Sequence, residues 1–131
     1  MENYKLIVDG IHFDIIGHCQ NQLSKRFNFK KNELDFTIKS IIKNSIVIYE
    51  RPGRARIKLK NNLRDSIYFF NESYNIILVV EKVGIEYSLI KTAYRASECN
   101  WIKDWKKTSK IRKTFKEVKS NWSDVDLLIS A

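Results

Sequence analysis

Apolar residues recur at helical spacing in two segments near the start of the chain. Between residues 13 and 27, and again between residues 31 and 43, they fall three or four positions apart, which places them on one face of a helix. Asn32 stands before the second segment and is a suitable N-cap. We predict two amphipathic helices, whose buried faces carry Ile15, Ile16, Cys19, Leu23 and Phe27 in the first and Leu34, Ile38, Ile41 and Ile42 in the second.

Short apolar or alternating runs, separated by turn signals, follow the two helical segments and also precede them. Asp9-Gly10 and Arg51-Pro52-Gly53 are such turn signals, and residues 54–60 alternate strictly between basic and apolar side chains. Strands joined by such short loops pair antiparallel, because parallel neighbours need a long crossover. We predict strands at residues 4–8, around 46–48, and at 54–60, 66–70, 76–81 and 87–94, with a hairpin loop at 71–75.

The C-terminal part is basic and helical in pattern. Residues 101–119 hold eight Lys and Arg against two acids, and an apolar patch at 125–129 follows, which either docks on the core or contacts a partner. The predicted fold class is α+β, with two N-terminal helices packed on an antiparallel β-meander of about four to five strands and a basic C-terminal helix. The length predicts a single domain over residues 1–131.

The charge of the chain is strongly positive. It has 24 Lys and Arg against 15 Asp and Glu, a net charge of +9 at pH 7. A polyanionic partner is therefore expected, such as nucleic acid, an anionic membrane surface or an acidic protein; the alternative is a merely solvated basic surface. The longest apolar run, residues 76–80, is too short to span a bilayer, and the first residues do not resemble a signal peptide. We expect a cytoplasmic site of action without membrane insertion, including the cytoplasm of a target cell after delivery.

A row of cations is the sharpest binding signal. Residues two apart in a strand lie roughly 6.6 Å apart, so four such cations form a row about 20 Å long. Residues 51–64 contain six basic residues and no acid. Two interpretations stay open, an edge strand protected by charge and a surface that binds nucleic acid through Arg54, Arg56, Lys58 and Lys60.

Two segments carry candidate acid–base and phosphate-binding groups. His18 lies early in the first predicted helix, and histidine titrates near neutral pH; His12, just before that helix, is the rival. On the last strand Thr92 and Tyr94 share one face and suit a phosphate. Regular alternation puts the other polar residues of that strand on the opposite face unless a bulge or the strand end intervenes, and these are Lys91, Arg95 and Ser97. Arg95 and Ser97 are further candidates for contact with RNA.

Other chemistries find no support in the sequence. It contains no paired-carboxylate motif, no phosphate-binding glycine loop and no HExxH motif. Two histidines and two cysteines, Cys19 and Cys99, are scattered without the spacing of a metal site or a disulfide framework. Cleavage of RNA needs no metal or other cofactor, because the substrate supplies its own nucleophile in the 2′-hydroxyl.

The chain has an early helical segment with one histidine, GHCQNQLSKRF at 17–27, and later a strand segment, KTAYRAS at 91–97. In this order of segments it resembles the superfamily of small nucleases that groups barnase, the EndoU enzymes, colicin D and RelE-type toxins. The chain looks closest to phage-type and contact-dependent-inhibition toxin domains of that group. The resemblance implies two N-terminal helices packed on an antiparallel sheet, metal-independent ribonuclease activity and a dedicated immunity protein or antitoxin. It places the family's helical histidine on His18, the following arginine on Arg26 and the strand motif on Thr92 and Tyr94. Arg95 stands where related strands often have proline.

The predicted function is that of an endoribonuclease toxin, with tRNA among the candidate substrates. The 2′-hydroxyl attacks the adjacent phosphate and leaves a 2′,3′-cyclic phosphate, with His18 as general base or acid. Thr92 and Tyr94 would hold phosphate oxygens, and Arg26 or Lys91 would supply charge to the transition state. The expected partners are RNA and an acidic immunity protein or antitoxin. The alternative functions are a non-catalytic nucleic-acid-binding regulator or phage accessory protein, and an immunity protein, which the charge disfavours.

Overall fold

A computed structural model of the chain describes residues 2–49, 66–83, 87–109 and 112–124. Within these ranges seven strands form one sheet in the order β1-β2-β6-β5-β4-β3-β7. The strands are β1 Tyr4–Val8, β2 Ile11–Ile15, β3 Ile46–Ile48, β4 Ile67–Asn71, β5 Ile76–Lys82, β6 Tyr87–Arg95 and β7 Lys113–Thr114. The α-helices are α1 Gly17–Phe27, α2 Leu34–Lys43, α3 Asn100–Thr108 and α4 Phe115–Val118.

The chain begins with a hairpin rather than with the predicted pair of helices. Strand β2 pairs antiparallel with β1 across Asp9 and Gly10, whose φ angles of 50° and 85° are those of a two-residue hairpin turn. The prediction of a helix from residue 13 is therefore wrong at its start. Phe13 and Ile15 are fully buried as alternate residues of a strand, and the helix α1 begins only at Gly17.

The predicted antiparallel meander of four to five strands is also wrong. The sheet is mixed, because β2 pairs parallel with β6 and thereby connects the N-terminal hairpin to the antiparallel strands β3 to β6. The long crossover that a parallel pair requires is the whole chain from α1 to β5. The structure is an α+β protein in which α1 and α2 follow a hairpin.

The predicted C-terminal helix over residues 101–119 is wrong as one element, because the described part of this segment is divided. Helix α3 ends at Thr108, and β7 then pairs with β3 at the edge of the sheet. Helix α4 begins directly after Thr114, whose hydroxyl accepts from the Glu117 N–H while the Glu117 carboxylate accepts from the Thr114 N–H.

Both faces of the sheet are covered by helices. One face packs against α1, α2 and α4, around a cluster of aromatic rings whose centroids lie 5.8 to 6.3 Å apart, Phe13, Phe69, Phe115 and Trp122. On the other face Ile102 and Trp105 of α3 pack with Tyr68, Phe70 and Ile77. Among the described residues no helix is long and apolar enough to cross a membrane.

Two sequence predictions fall outside the described residues. The strand predicted at 54–60, with the cations Arg54, Arg56, Lys58 and Lys60, belongs to the segment 50–65. The apolar patch at 125–129 follows the last described residue, Asp124.

Candidate active site

A cleft of about 470 Å³ opens beside the α3 side of the sheet, between the start of α1 and the strands β4, β5 and β6. It brings together four of the residues predicted from the sequence to take part in chemistry. The cleft is lined by Ile16, His18, Ser66, Tyr68, Val79, Lys91, Thr92 and Tyr94.

A β-bulge in β6 explains how a cation and two hydroxyls reach the same cleft. Thr92 pairs with Val79, whereas Ile90 pairs with Val80, so Lys91 is an extra residue that has no opposite residue in the strand register with β5. Ile90 and Ala93 remain fully buried in the core on either side of it. Strict alternation would have separated Lys91 from Thr92, and the bulge lets both line the cleft.

The Lys91 side chain has an acidic neighbour on β5. Its Nζ lies 3.5 Å from Oε2 of Glu81, a residue that is only 8% exposed, while the Lys91 side chain is 44% exposed. A buried carboxylate requires a nearby cation or donor, and Lys91 is one such partner. The ammonium group is therefore held beside Glu81, and the Lys91 side chain, which lines the cleft, remains accessible to a ligand.

His18 lies in the first turn of α1 and is exposed to solvent. Within the described residues, no hydrogen bond or ion pair involves its imidazole. The N-cap residue Ile16 provides no side-chain acceptor, and the first turn contains no acid. Because Ile16 and His18 both line the cleft, the N-terminal, positive end of the α1 dipole lies beside it, which favours an anionic ligand.

Cys19, next to His18, cannot serve as a nucleophile. Its side chain is fully buried against the core, and burial raises the pKa of the Cys19 thiol to about 12. The thiolate that would attack a substrate is therefore essentially absent at neutral pH. Neither Cys19 nor Cys99 forms a disulfide.

Two side chains of α1 bind the edge of β6 where β2 no longer does. Pairing of β2 with β6 stops at Ile15 and Ile90. Beyond this point the backbone of Ala93 forms hydrogen bonds with side chains of α1. Gln22 Oε1 accepts from the Ala93 N–H at 2.9 Å and from the Thr92 hydroxyl at 2.5 Å. Arg26 Nη1 donates to the Ala93 carbonyl at 3.1 Å. These side chains supply the hydrogen bonds that a neighbouring strand would supply.

Arg26 is therefore placed in the contact between α1 and β6, and it is not among the residues that line the cleft. Arg95 lies at the end of β6, where its guanidinium donates to the Arg26 carbonyl at 2.6 Å and lies 5.9 Å above the ring of Phe27. Ser97 Oγ accepts from the side-chain amide of Asn75 at 2.9 Å. The predicted RNA contacts of Arg95 and Ser97 would thus have to form at the strand end, outside the cleft.

The two histidines lie in different clefts. His12 is exposed on β2 opposite Tyr87 and lines a second cleft, of about 560 Å³, together with Asp14. In that cleft the Tyr87 hydroxyl donates to the buried Asp14 carboxylate at 2.9 Å, and this hydrogen bond raises the pKa of Tyr87. His12, the rival candidate to His18, therefore does not line the cleft that contains His18, Lys91 and Thr92.

The structure adds cleft residues that the sequence did not indicate. Tyr68 is buried on β4, with its ring 5.0 Å from that of Trp101, and Ser66 precedes the same strand. Their only sequence signal was a strand of apolar and hydroxyl residues, which is common in cores. Among the described residues no group of three or more His, Cys, Asp and Glu is placed to hold a metal ion.

No family model, curated protein or solved structure matches this chain. These comparisons provide no link between this chain and the small ribonucleases that its sequence motifs resemble.

Proposed function

We propose that this chain is a metal-independent endoribonuclease toxin that cleaves RNA in the cytoplasm, tRNA being one candidate substrate. One observation carries the proposal. A solvent-exposed imidazole, an ammonium group and several hydroxyls, from His18, Lys91 and the strands β4 and β6, line one cleft at the positive end of a helix. This combination suits a phosphodiester, which needs proton transfer and neutralisation of negative charge.

The reaction moves one proton away from the nucleophile and delivers one to the leaving group. The ribose 2′-oxygen loses its proton and bonds to phosphorus, and the bond from phosphorus to the 5′-oxygen breaks as that oxygen takes up a proton. The products are a 2′,3′-cyclic phosphate and a 5′-hydroxyl. His18 acts as the base or as the acid, and the Lys91 ammonium and the free N–H groups at the start of α1 stabilise the negative charge that develops on phosphate.

The charge of the whole chain supports an RNA substrate and an acidic partner. A net charge of +9 attracts a polyanion, and the row Arg54, Arg56, Lys58 and Lys60 is the proposed contact with the RNA backbone. A producing cell must restrain such an enzyme, so we propose an acidic immunity protein or antitoxin that covers the basic surface and associates rapidly at low salt.

The direct experiment is incubation of the purified chain with total bacterial RNA in the presence of EDTA. We expect fragments that end in a 2′,3′-cyclic phosphate. His18→Ala should reduce the cleavage rate at least about a hundredfold, because a general acid or base contributes typically 10² to 10⁴ in rate. His12→Ala is the matched control, because His12 lies in the other cleft and should leave the rate nearly unchanged.

Thermal unfolding of both variants shows whether a change in rate reflects chemistry or loss of the fold. A folded His18→Ala chain that cuts RNA at the parental rate would contradict a role for this histidine. Intact RNA after incubation with the parental chain would contradict the enzyme proposal itself.

A second candidate function is a non-catalytic RNA-binding protein. The observation that favours it is that two of the predicted catalytic groups already form hydrogen bonds within the fold. Arg26 donates to the Ala93 carbonyl, and the Thr92 hydroxyl donates to Gln22. Such a cleft would bind phosphates without turnover. Salt-sensitive RNA binding without any cleavage product would decide for this function.

A further inference from the structure

The amide of Gln22 has a fixed orientation. The backbone N–H of Ala93 lies 2.9 Å from Oε1 of Gln22 and can only donate. The atom that it meets must therefore be the amide oxygen, because the amide nitrogen also carries hydrogens and has no acceptor to offer. The second contact of this oxygen, to Oγ1 of Thr92, follows from that assignment.

The proton of the Thr92 hydroxyl is consequently committed. Oγ1 of Thr92 lies 2.5 Å from the Gln22 amide oxygen, at the short end of the range for O–H···O hydrogen bonds. A carbonyl oxygen has no proton, so Thr92 is the donor in this pair. A hydroxyl has one proton and two lone pairs, and only its lone pairs remain available to a ligand in the cleft that Thr92 lines.

We propose that Thr92 is an acceptor-only hydroxyl that recognises a hydrogen-bond donor of the RNA, and that it does not hold a phosphate oxygen. A phosphate oxygen is itself an acceptor and would face the lone pairs of Thr92. The donor is the 2′-hydroxyl of a ribose beside the cleaved one, since the reacting 2′-hydroxyl loses its proton to the base. A nucleobase N–H is the other source of the same chemistry, and either assignment rests on the part of the proposed function that makes RNA the ligand of this cleft.

This role would let one residue distinguish RNA from DNA, because the 2′-hydroxyl is the donor that DNA lacks. Gln22 is then a positioning residue, since it acts through the Thr92 hydroxyl. Its position on α1, one turn after His18, ties the orientation of this acceptor to the same helix that carries the proposed acid or base.

The experiment measures binding rather than turnover, using the His18→Ala chain and a short fluorescent RNA oligonucleotide. Matched probes carry 2′-deoxy or 2′-fluoro substitutions at single positions, and further probes exchange single bases. In this background Thr92→Val should weaken binding of the all-ribose probe about fivefold, the loss of one neutral hydrogen bond. It should not weaken binding of the probe whose substitution removes the recognised donor. Thr92→Ser restores the hydroxyl and should restore affinity, which guards against a packing effect of valine.

If Thr92→Val no longer weakens binding of a probe with one 2′-substitution, the recognised donor is the ribose hydroxyl at that position. If it no longer weakens binding of a probe with one exchanged base, the donor is the N–H of that base. Both outcomes support the acceptor role. Equal losses for the all-ribose probe and for every substituted probe, 2′-changes and base exchanges alike, would overturn it, because only the phosphates are common to all of these probes. If the parental chain cleaves no RNA but the 2′-dependent binding persists, the acceptor role stands and the enzyme proposal fails. Absence of RNA binding by the parental chain would overturn both.

Discussion

His18 and Cys19 are consecutive residues of α1 with opposite surroundings. The imidazole is exposed at the cleft, whereas the thiol is fully buried. Burial raises the pKa of Cys19 from 9.0 to about 12, so the folded chain holds about a thousandfold less thiolate at pH 8 than the unfolded chain. Alkylation of Cys19 should therefore be slower in the native protein than in urea by at least about a hundredfold.

A Cys99→Ala variant leaves Cys19 as the only thiol and gives a clean readout of its alkylation by intact mass.

The raised pKa of Cys19 also makes the stability of the fold depend on pH. The folded chain keeps this thiol protonated, so its contribution to stability is complete below pH 9 and declines as the pH rises toward 12. Rapid alkylation of native Cys99→Ala at pH 8 would contradict the burial of Cys19.

At the scale of elements, the contact between α1 and β6 replaces a missing strand. Gln22→Met keeps the length of the side chain and removes the acceptor for the Ala93 N–H and the Thr92 hydroxyl. We expect it to lower the free energy of unfolding by about 1–3 kcal/mol, measured by urea denaturation, because the N–H of the buried residue Ala93 and the hydroxyl of the half-buried Thr92 lose their acceptor. Gln22→Glu retains an acceptor and should cost less.

Lys25→Met is the control for this experiment, because Lys25 is an exposed neighbour on the same helix turn, and no hydrogen bond or ion pair involves its side chain within the described residues. Equal stabilities of the Gln22→Met and Lys25→Met chains would show that the strand edge does not depend on the hydrogen bonds of Gln22. A selective loss for Gln22→Met would show that this side chain ties α1 to the edge of β6.

At the scale of the whole molecule, the charge of +9 predicts that the affinity for RNA depends strongly on salt concentration. Binding through phosphates releases counterions, so affinity should fall with salt by a slope of roughly 0.7 per phosphate contact for a single strand. Reversing Arg54 and Arg56 to Glu should lower both the affinity and that slope, whatever the RNA sequence. Affinity that does not change between low and high salt would exclude a phosphate-based interface.

Local patterns were sufficient for much of the secondary structure. The predicted strand at residues 4–8 with its Asp9-Gly10 turn, the helix ending at Lys43 and the last strand are all confirmed, because period and turn residues are properties of neighbouring positions. The same patterns misplaced residues 13–15, because Ile15 fits both the helix face that carries Cys19 and the strand alternation that it shares with Phe13. Candidate residues could be named from chemistry alone, and the cleft contains His18, Lys91, Thr92 and Tyr94.

The relation between these residues depended on tertiary structure. The parallel pairing of β2 with β6 joins segments more than seventy positions apart, and no local period encodes such a choice. That pairing ends at Ile90, which frees the edge that Gln22 and Arg26 then occupy. The register with β5 creates the bulge that brings Lys91 beside Thr92. The sequence by itself determined which side chains are available and where most strands and helices form. Pairing between distant strands decided which of those side chains share a cleft, because only that pairing sets register and edges.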